Sequence, residues 1–233
     1  MTIKKKILEK NNCYLANRQI EVKGLMLHSV GCNQPSGEVF VNIFNTAKPN
    51  GTEICVHGFI DAENIYQTLP WNWRGWHAGG TANNTHIGVE MTEPNTIRYT
   101  TGANFVDNNP VSTKIHVLST YQNAIELFAF LCEEYKLDPL KDIISHSEGY
   151  KLGVASGHAD PEHLWKSFGL TMDKFRLDVK AKMEANIAPT IPTEKPEEKK
   201  IYRVQVGAFT VKQNAENYVK KLKTSGFTDA FIV

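Results

Sequence analysis

Three side chains far apart in the sequence form a set able to hold a catalytic metal. His28 follows the apolar run Leu25, Met26, Leu27, and His146 lies just past Ile143 and Ile144, so each imidazole stands at the end of a buried-looking strand. Asp160, in GHADPEHLW, adds a carboxylate fourteen positions after His146. A catalytic zinc takes three protein ligands and keeps one position for water, whose pKa falls to about 7. Two neutral imidazoles and one carboxylate leave such a site net positive, which keeps the ion a useful Lewis acid. Spacing alone does not separate this set from satisfied core histidines, because the chain has no HExxH and no short ligand pair.

These groups need rigid backbone behind them. Residues 24–30, 53–60 and 86–92 read as strands, and Val117, Leu118, Tyr121, Ala124, Ile125, Phe128, Ala129, Cys132 and Tyr135 form one stripe at helical period. A short apolar run at 143–144 and a helix over 172–185 complete an α/β pattern, which predicts a central mixed β-sheet flanked by helices. Residues 186–200, with Pro189, Pro192 and Pro196 among alternating charges, read as a linker. They divide a domain over 1–185 from a second over 201–233. The second reads strand, helix, strand, with Ala215, Tyr218, Val219 and Leu222 on one helix face and Gly226 as its C-terminal cap.

At 41% hydrophobic and 22% charged residues, the chain of 233 residues matches neither bulk disorder nor a coiled coil. Its net charge is +1, and all 8 histidines lie in the larger domain. No run approaches the roughly 18 apolar residues of a membrane span. Lys4, Lys5 and Lys6 followed by polar residues make no signal-peptide core, so synthesis in the cytoplasm without general export is the expectation. Cys13, Cys32, Cys55 and Cys132 are dispersed with no CxxC pair, and reduced, mostly buried thiols are expected.

The ordered blocks GLMLHSVG, ICVHGFID, GWHAGG, HIGVEMTE, IISHSE and HADPEHLW resemble the zinc-dependent type 2 N-acetylmuramoyl-L-alanine amidases, the superfamily of phage lysozyme-type amidases and peptidoglycan recognition proteins. The likeness covers about residues 15–170. It implies hydrolysis of the amide between N-acetylmuramic acid and the first L-alanine of the stem peptide, with one zinc as cofactor and peptidoglycan as partner. It assigns His28, His146 and Asp160 as metal ligands and Glu90 as the general base. Many members carry lysine two residues before the third ligand, where this chain has His158. That residue takes the oxyanion-stabilising role, or exchanges roles with Asp160 as ligand. His57, Trp76 and His77 match blocks that line the substrate cleft, while Trp71 and Trp73 suit packing equally well. His86, His116 and His163 take no role from the blocks and are expected on the surface or a helix face.

Residues 201–233 resemble one βαβ half of the SPOR-type cell-wall-binding modules. Two chains would each supply a half, giving a homodimer through the tail; no nucleic acid or membrane partner is expected. A wall enzyme with such a tail and no export signal fits a phage or prophage lysis cassette, or mother-cell lysis in a spore former. The competing readings are a non-catalytic peptidoglycan recognition module and a zinc peptidase cutting within the stem peptide.

Overall fold

The computed structural model describes residues 1–187, 206–228 and 230–232. In chain order, the first half carries β1 (Ile3–Lys5), α1 (Asn12–Leu15), β2 (Gly24–Ser29), α2 (Gly37–Phe44), β3 (Gly58–Ile60), β4 (Ile65–Gln67) and β5 (His86–Met91). There follow β6 (Ile97–Tyr99), β7 (Phe105–Asp107), α3 (Pro110–Tyr135), β8 (Ile143–Ser145), α4 (His146–Lys151), α5 (Glu162–Trp165), α6 (Met172–Ile187) and α7 (Lys212–Thr224). Six strands form one mixed sheet in the order β1-β4-β3-β5-β2-β8, parallel except for the β3–β4 pair. β6 and β7 form a separate antiparallel ribbon.

β2 is buried along its whole length, as its unbroken apolar run requires of a central strand. Alternation along the strands then divides its side chains between two faces. Leu25 and Leu27 of β2 join Ile87, Val89 and Met91 of β5 in the main core, against Val117, Ala124, Phe128 and Cys132 of α3. Phe175 of α6 packs edge-on to Phe128 and Tyr121, at ring separations of 5.2 and 5.6 Å. Met26 points to the other face, into a small cluster with Ala78 and Ala82. His28 and Glu90 share that second face by the same alternation, away from the long helices. α3 starts cleanly because Asn109 accepts the Ser112 N–H and Pro110 needs no donor, and it ends at Lys136 in the left-handed region, φ 55°.

The strand expected over 53–60 shrinks to β3. Cys55 exchanges both backbone bonds with Trp76 instead of a sheet neighbour, at 3.1 and 3.0 Å. The thiol expectation is corrected as well: Cys13 and Cys55 are joined in a disulfide across 42 residues, and Cys32 and Cys132 are free. Buried Asn11 explains the juxtaposition. It caps α1 and donates to the carbonyls of Phe44 and Ile54, which holds α1 beside Cys55.

The compact units divide between residues 189 and 190. α6 runs two residues past the expected boundary, into the linker expected over 186–200, whose remainder, 188–200, lies outside the described residues. In the second unit α7 forms where expected, with Ala215, Tyr218, Val219 and Leu222 half-buried. Gly226, φ +96°, closes it: its N–H bonds the Lys223 carbonyl and the Phe227 N–H bonds that of Leu222. Of the two expected flanking strands, residues 201–205, 229 and 233 lie outside the described residues. Residues 206–208 and 230–232 carry no strand.

Candidate metal centre

His28 lies near the C-terminal end of β2, and β8 runs parallel beside it with Leu27 opposite Ser145, so His146 emerges alongside His28. Ser145 then caps α4 in a reciprocal capping box with Glu148, which stops the strand at that point and turns His146 inward. Asp160 arrives on the turn before α5. The Nδ1 atoms of His28 and His146 are 3.0 Å apart, and Asp160 Oδ2 lies 3.4 and 3.6 Å from them. All three residues are buried, and their ligand atoms fall within 4.8 Å of one another.

Hydrogen bonds behind the rings fix which nitrogens carry protons. His77 Nε2 faces the His86 carbonyl at 3.1 Å and must donate, which makes its Nδ1 an acceptor for His28 Nε2–H at 3.0 Å. Ser156 Oγ donates to the Ala78 carbonyl and stands 3.3 Å from His146 Nε2, whose proton it accepts. Both Nδ1 lone pairs therefore point at each other and at a carboxylate. Burial lowers the pKa of His28 against the opposing pull of Asp160, so the ring is not readily protonated. Three acceptors converging in a dry site fit a cation, and two nitrogens with one oxygen suit zinc.

Glu90 is paired in register with His28 on β5. Its Oε2 is buried without a hydrogen-bond partner, and burial, then Asp160 and Glu93, push its pKa well above the usual range. His158 is exposed. Its Nδ1 lies 3.1 Å from His146 Nε2, on the side away from the converging atoms, so the structure brings Asp160 and not His158 into the ligand set.

One cleft assignment is corrected. His57 is 0% exposed, donates from Nε2 to the Trp73 carbonyl and accepts the Gly88 N–H at Nδ1, so it is a satisfied core residue that no substrate reaches. Burial lowers its pKa to about 4. His77 is half-buried with Nδ1 on His28 Nε2 at 3.0 Å, and its pKa is lowered by burial and then by His28 and His57. Gly88 makes room for it, since a Cβ there would come within 2.3 Å of the ring. Trp76 remains 40% exposed, with the Arg74 guanidinium 4.5 Å over its ring beside a hollow of about 190 Å³. Trp71 packs on the main core and Trp73 on Tyr14.

His86 and His116 are half-buried and bond Thr85 and Thr92. His163, expected on the surface, is 7% exposed and reaches Tyr99 and Glu93, because the turn after Asp160 folds inward. Sequence reasoning missed Ser156, Tyr99 and Glu93. Glu93 was within reach, since it lies inside the HIGVEMTE block.

Solved structures share this fold. The Staphylococcus aureus hydrolase AmiA, solved with its ligand, is similar at 19% identity and TM-score 0.59, over 81% of this chain and 88% of that one. PlyL is similar at 20% identity and TM-score 0.56, over 77% and 97%. The catalytic domain of XlyA is similar at 21% identity and TM-score 0.55, over 77% and 99%. Among curated proteins nothing matches the chain. The SPOR domain profile matches residues 181–233, and the N-acetylmuramoyl-L-alanine amidase profile matches residues 17–163, well over half the sequence. With two imidazoles and a carboxylate converging at the strand ends inside that match, the chain belongs to the N-acetylmuramoyl-L-alanine amidase family and is a peptidoglycan hydrolase with a C-terminal SPOR domain.

Proposed function

We propose that one zinc ion is held by His28 Nδ1, His146 Nδ1 and Asp160 Oδ2, and that the chain cleaves the amide between N-acetylmuramic acid and L-alanine. The observation that supports this most directly is the convergence of two unprotonated nitrogens on a carboxylate, a repulsive arrangement without a cation between them. When bound, zinc supplies Lewis acidity toward the lactyl carbonyl and lowers the pKa of a neighbouring water to about 7. Glu90 takes the proton of the attacking water at Oε2, the atom left without a partner, and returns it to the leaving amine of L-alanine. His158, exposed at the mouth, steadies the developing oxyanion. Trp76 offers an apolar wall to sugar or peptide, with Arg74 beside it.

The domain division near residues 186–200, the tail acting as a SPOR half-module, and pairing of two chains through it belong to the same reading. The SPOR match and the single amphipathic helix α7 support them. Among the described residues no helix is long and apolar enough to cross a membrane. Action on the wall after release, in phage lysis or mother-cell lysis, suits an amidase with a wall-binding tail.

Purified walls digested with and without a chelator test the activity. New L-alanine N-termini that vanish with chelator are expected. Free amines from other stem residues would mean a zinc peptidase, and no release at all would mean a recognition module. Light scattering tests the pairing, and a monomer at micromolar concentration with α7 folded would defeat it.

A further inference from the structure

Asp160 sits on a turn whose neighbours are tied to both histidine-bearing strands. On one side Glu162 Oε1 accepts the Ser145 hydroxyl at 2.6 Å, next to His146. On the other side the chain of bonds is longer and centres on a buried carboxylate. Glu93, 0% exposed, accepts the Ser29 hydroxyl at 2.7 Å and the Gly31 N–H at 3.3 Å through Oε1, and the Tyr99 hydroxyl at 2.6 Å through Oε2. The Tyr99 hydroxyl donates its hydrogen bond to Glu93, so its oxygen accepts from His163 Nε2–H, 2.5 Å away. That bond makes Nε2 the donor, and Glu93 Oε1 lies 3.4 Å from the same nitrogen, while Nδ1 is buried without a partner. Ser29, beside His28, donates its own N–H to Asp160 Oδ2 at 3.4 Å.

We propose that Glu93, Tyr99 and His163 are positioning residues that lock the Asp160 turn to the end of β2, setting the distance between the carboxylate and His28. None of the three touches the converging ligand atoms. They join residue 29, one step past His28, to residue 163, three steps past Asp160, through a continuous hydrogen-bond network. Such outer partners change metal affinity 10- to 100-fold when removed.

This inference rests on the zinc reading, and one titration separates the two. Zinc affinity of the full chain is measured by competition with a chromophoric chelator, and the visible spectrum of the cobalt form is recorded beside it. Tyr99→Phe, which removes one oxygen, should bind zinc 10- to 100-fold more weakly with an altered cobalt spectrum, and its metal-free form should still melt cooperatively. His163→Leu should be equally weak, whereas His163→Gln, whose amide can donate to Tyr99, should recover most of the affinity. Parent-like affinity and spectrum in Tyr99→Phe would overturn the proposal, and so would equal weakness of the Gln and Leu variants. A parent chain that binds no zinc would instead overturn the metal reading, and this one with it. If His163→Leu fails to fold, the Tyr99→Phe result decides alone.

Discussion

His28 and Glu90 stand opposite each other in register on the parallel strands β2 and β5, facing the side of the sheet that the long helices leave free. The pairing puts a carboxylate with an unpartnered oxygen beside the first imidazole without lending that oxygen to the fold. Glu90→Gln keeps the shape and removes the proton acceptor. It should retain zinc and lose turnover by about 10²- to 10⁴-fold, the usual worth of a positioned base. Metal content and L-alanine release, measured on one preparation, check this; loss of zinc would move Glu90 into the ligand set.

His146 and His158 separate the ligand role from the oxyanion role. His158 Nδ1 lies at the back nitrogen of His146, outside the converging trio. His158→Ala should therefore weaken zinc binding by no more than the 10- to 100-fold of an outer partner, while lowering kcat. His158→Lys should restore activity if a cationic donor suffices. His146→Ala and Asp160→Ala should lose zinc and activity together. Zinc lost from His158→Ala to the same degree as from Asp160→Ala would reverse the assignment.

Strand ends and the long helix were legible because burial imposes period. The apolar runs of β2 and β5 and the stripe of α3 state which faces are dry, and a histidine just past such a run lies in a site or beside one. Three-residue strands such as β1 and β4 leave no period to read. His57 and His77 occupy equally suggestive blocks, yet His57 ends fully buried, because only the folded path of residues 70–80 shows what covers it. His163 and the Cys13–Cys55 bond were missed for a related reason: each depends on a turn or cap that brings distant segments together.

Acid should weaken the fold through His57. Burial lowers its pKa to about 4 in the folded chain, against 6.5 in the unfolded one. Between those values the unfolded state binds the extra proton, so stability is full above pH about 6.5 and falls as pH drops toward about 4. The shift corresponds to about 3 kcal/mol from this residue. Urea midpoints of the metal-free protein from pH 7 to 4 should show the decline, and His57→Gln should make it shallower, the remainder coming from His28 and His77. A parent curve level over that range would mean that His57 is already charged or solvated.

The Cys13–Cys55 bond closes a loop over a sequence separation of 42. By loop-closure entropy such a bond stabilises the folded chain by about 4 kcal/mol, with measured bonds usually at 2–4. Cys13→Ser with Cys55→Ser, or reduction of the parent, should lower the unfolding free energy by that amount while leaving zinc content unchanged, because neither residue touches the histidines or Asp160. Asn11 keeps α1 docked through the Phe44 and Ile54 carbonyls in the reduced chain, so adding Asn11→Ala should release it and cost more than the sum of the separate losses. Strict additivity of the two changes would show that cap and disulfide hold α1 independently.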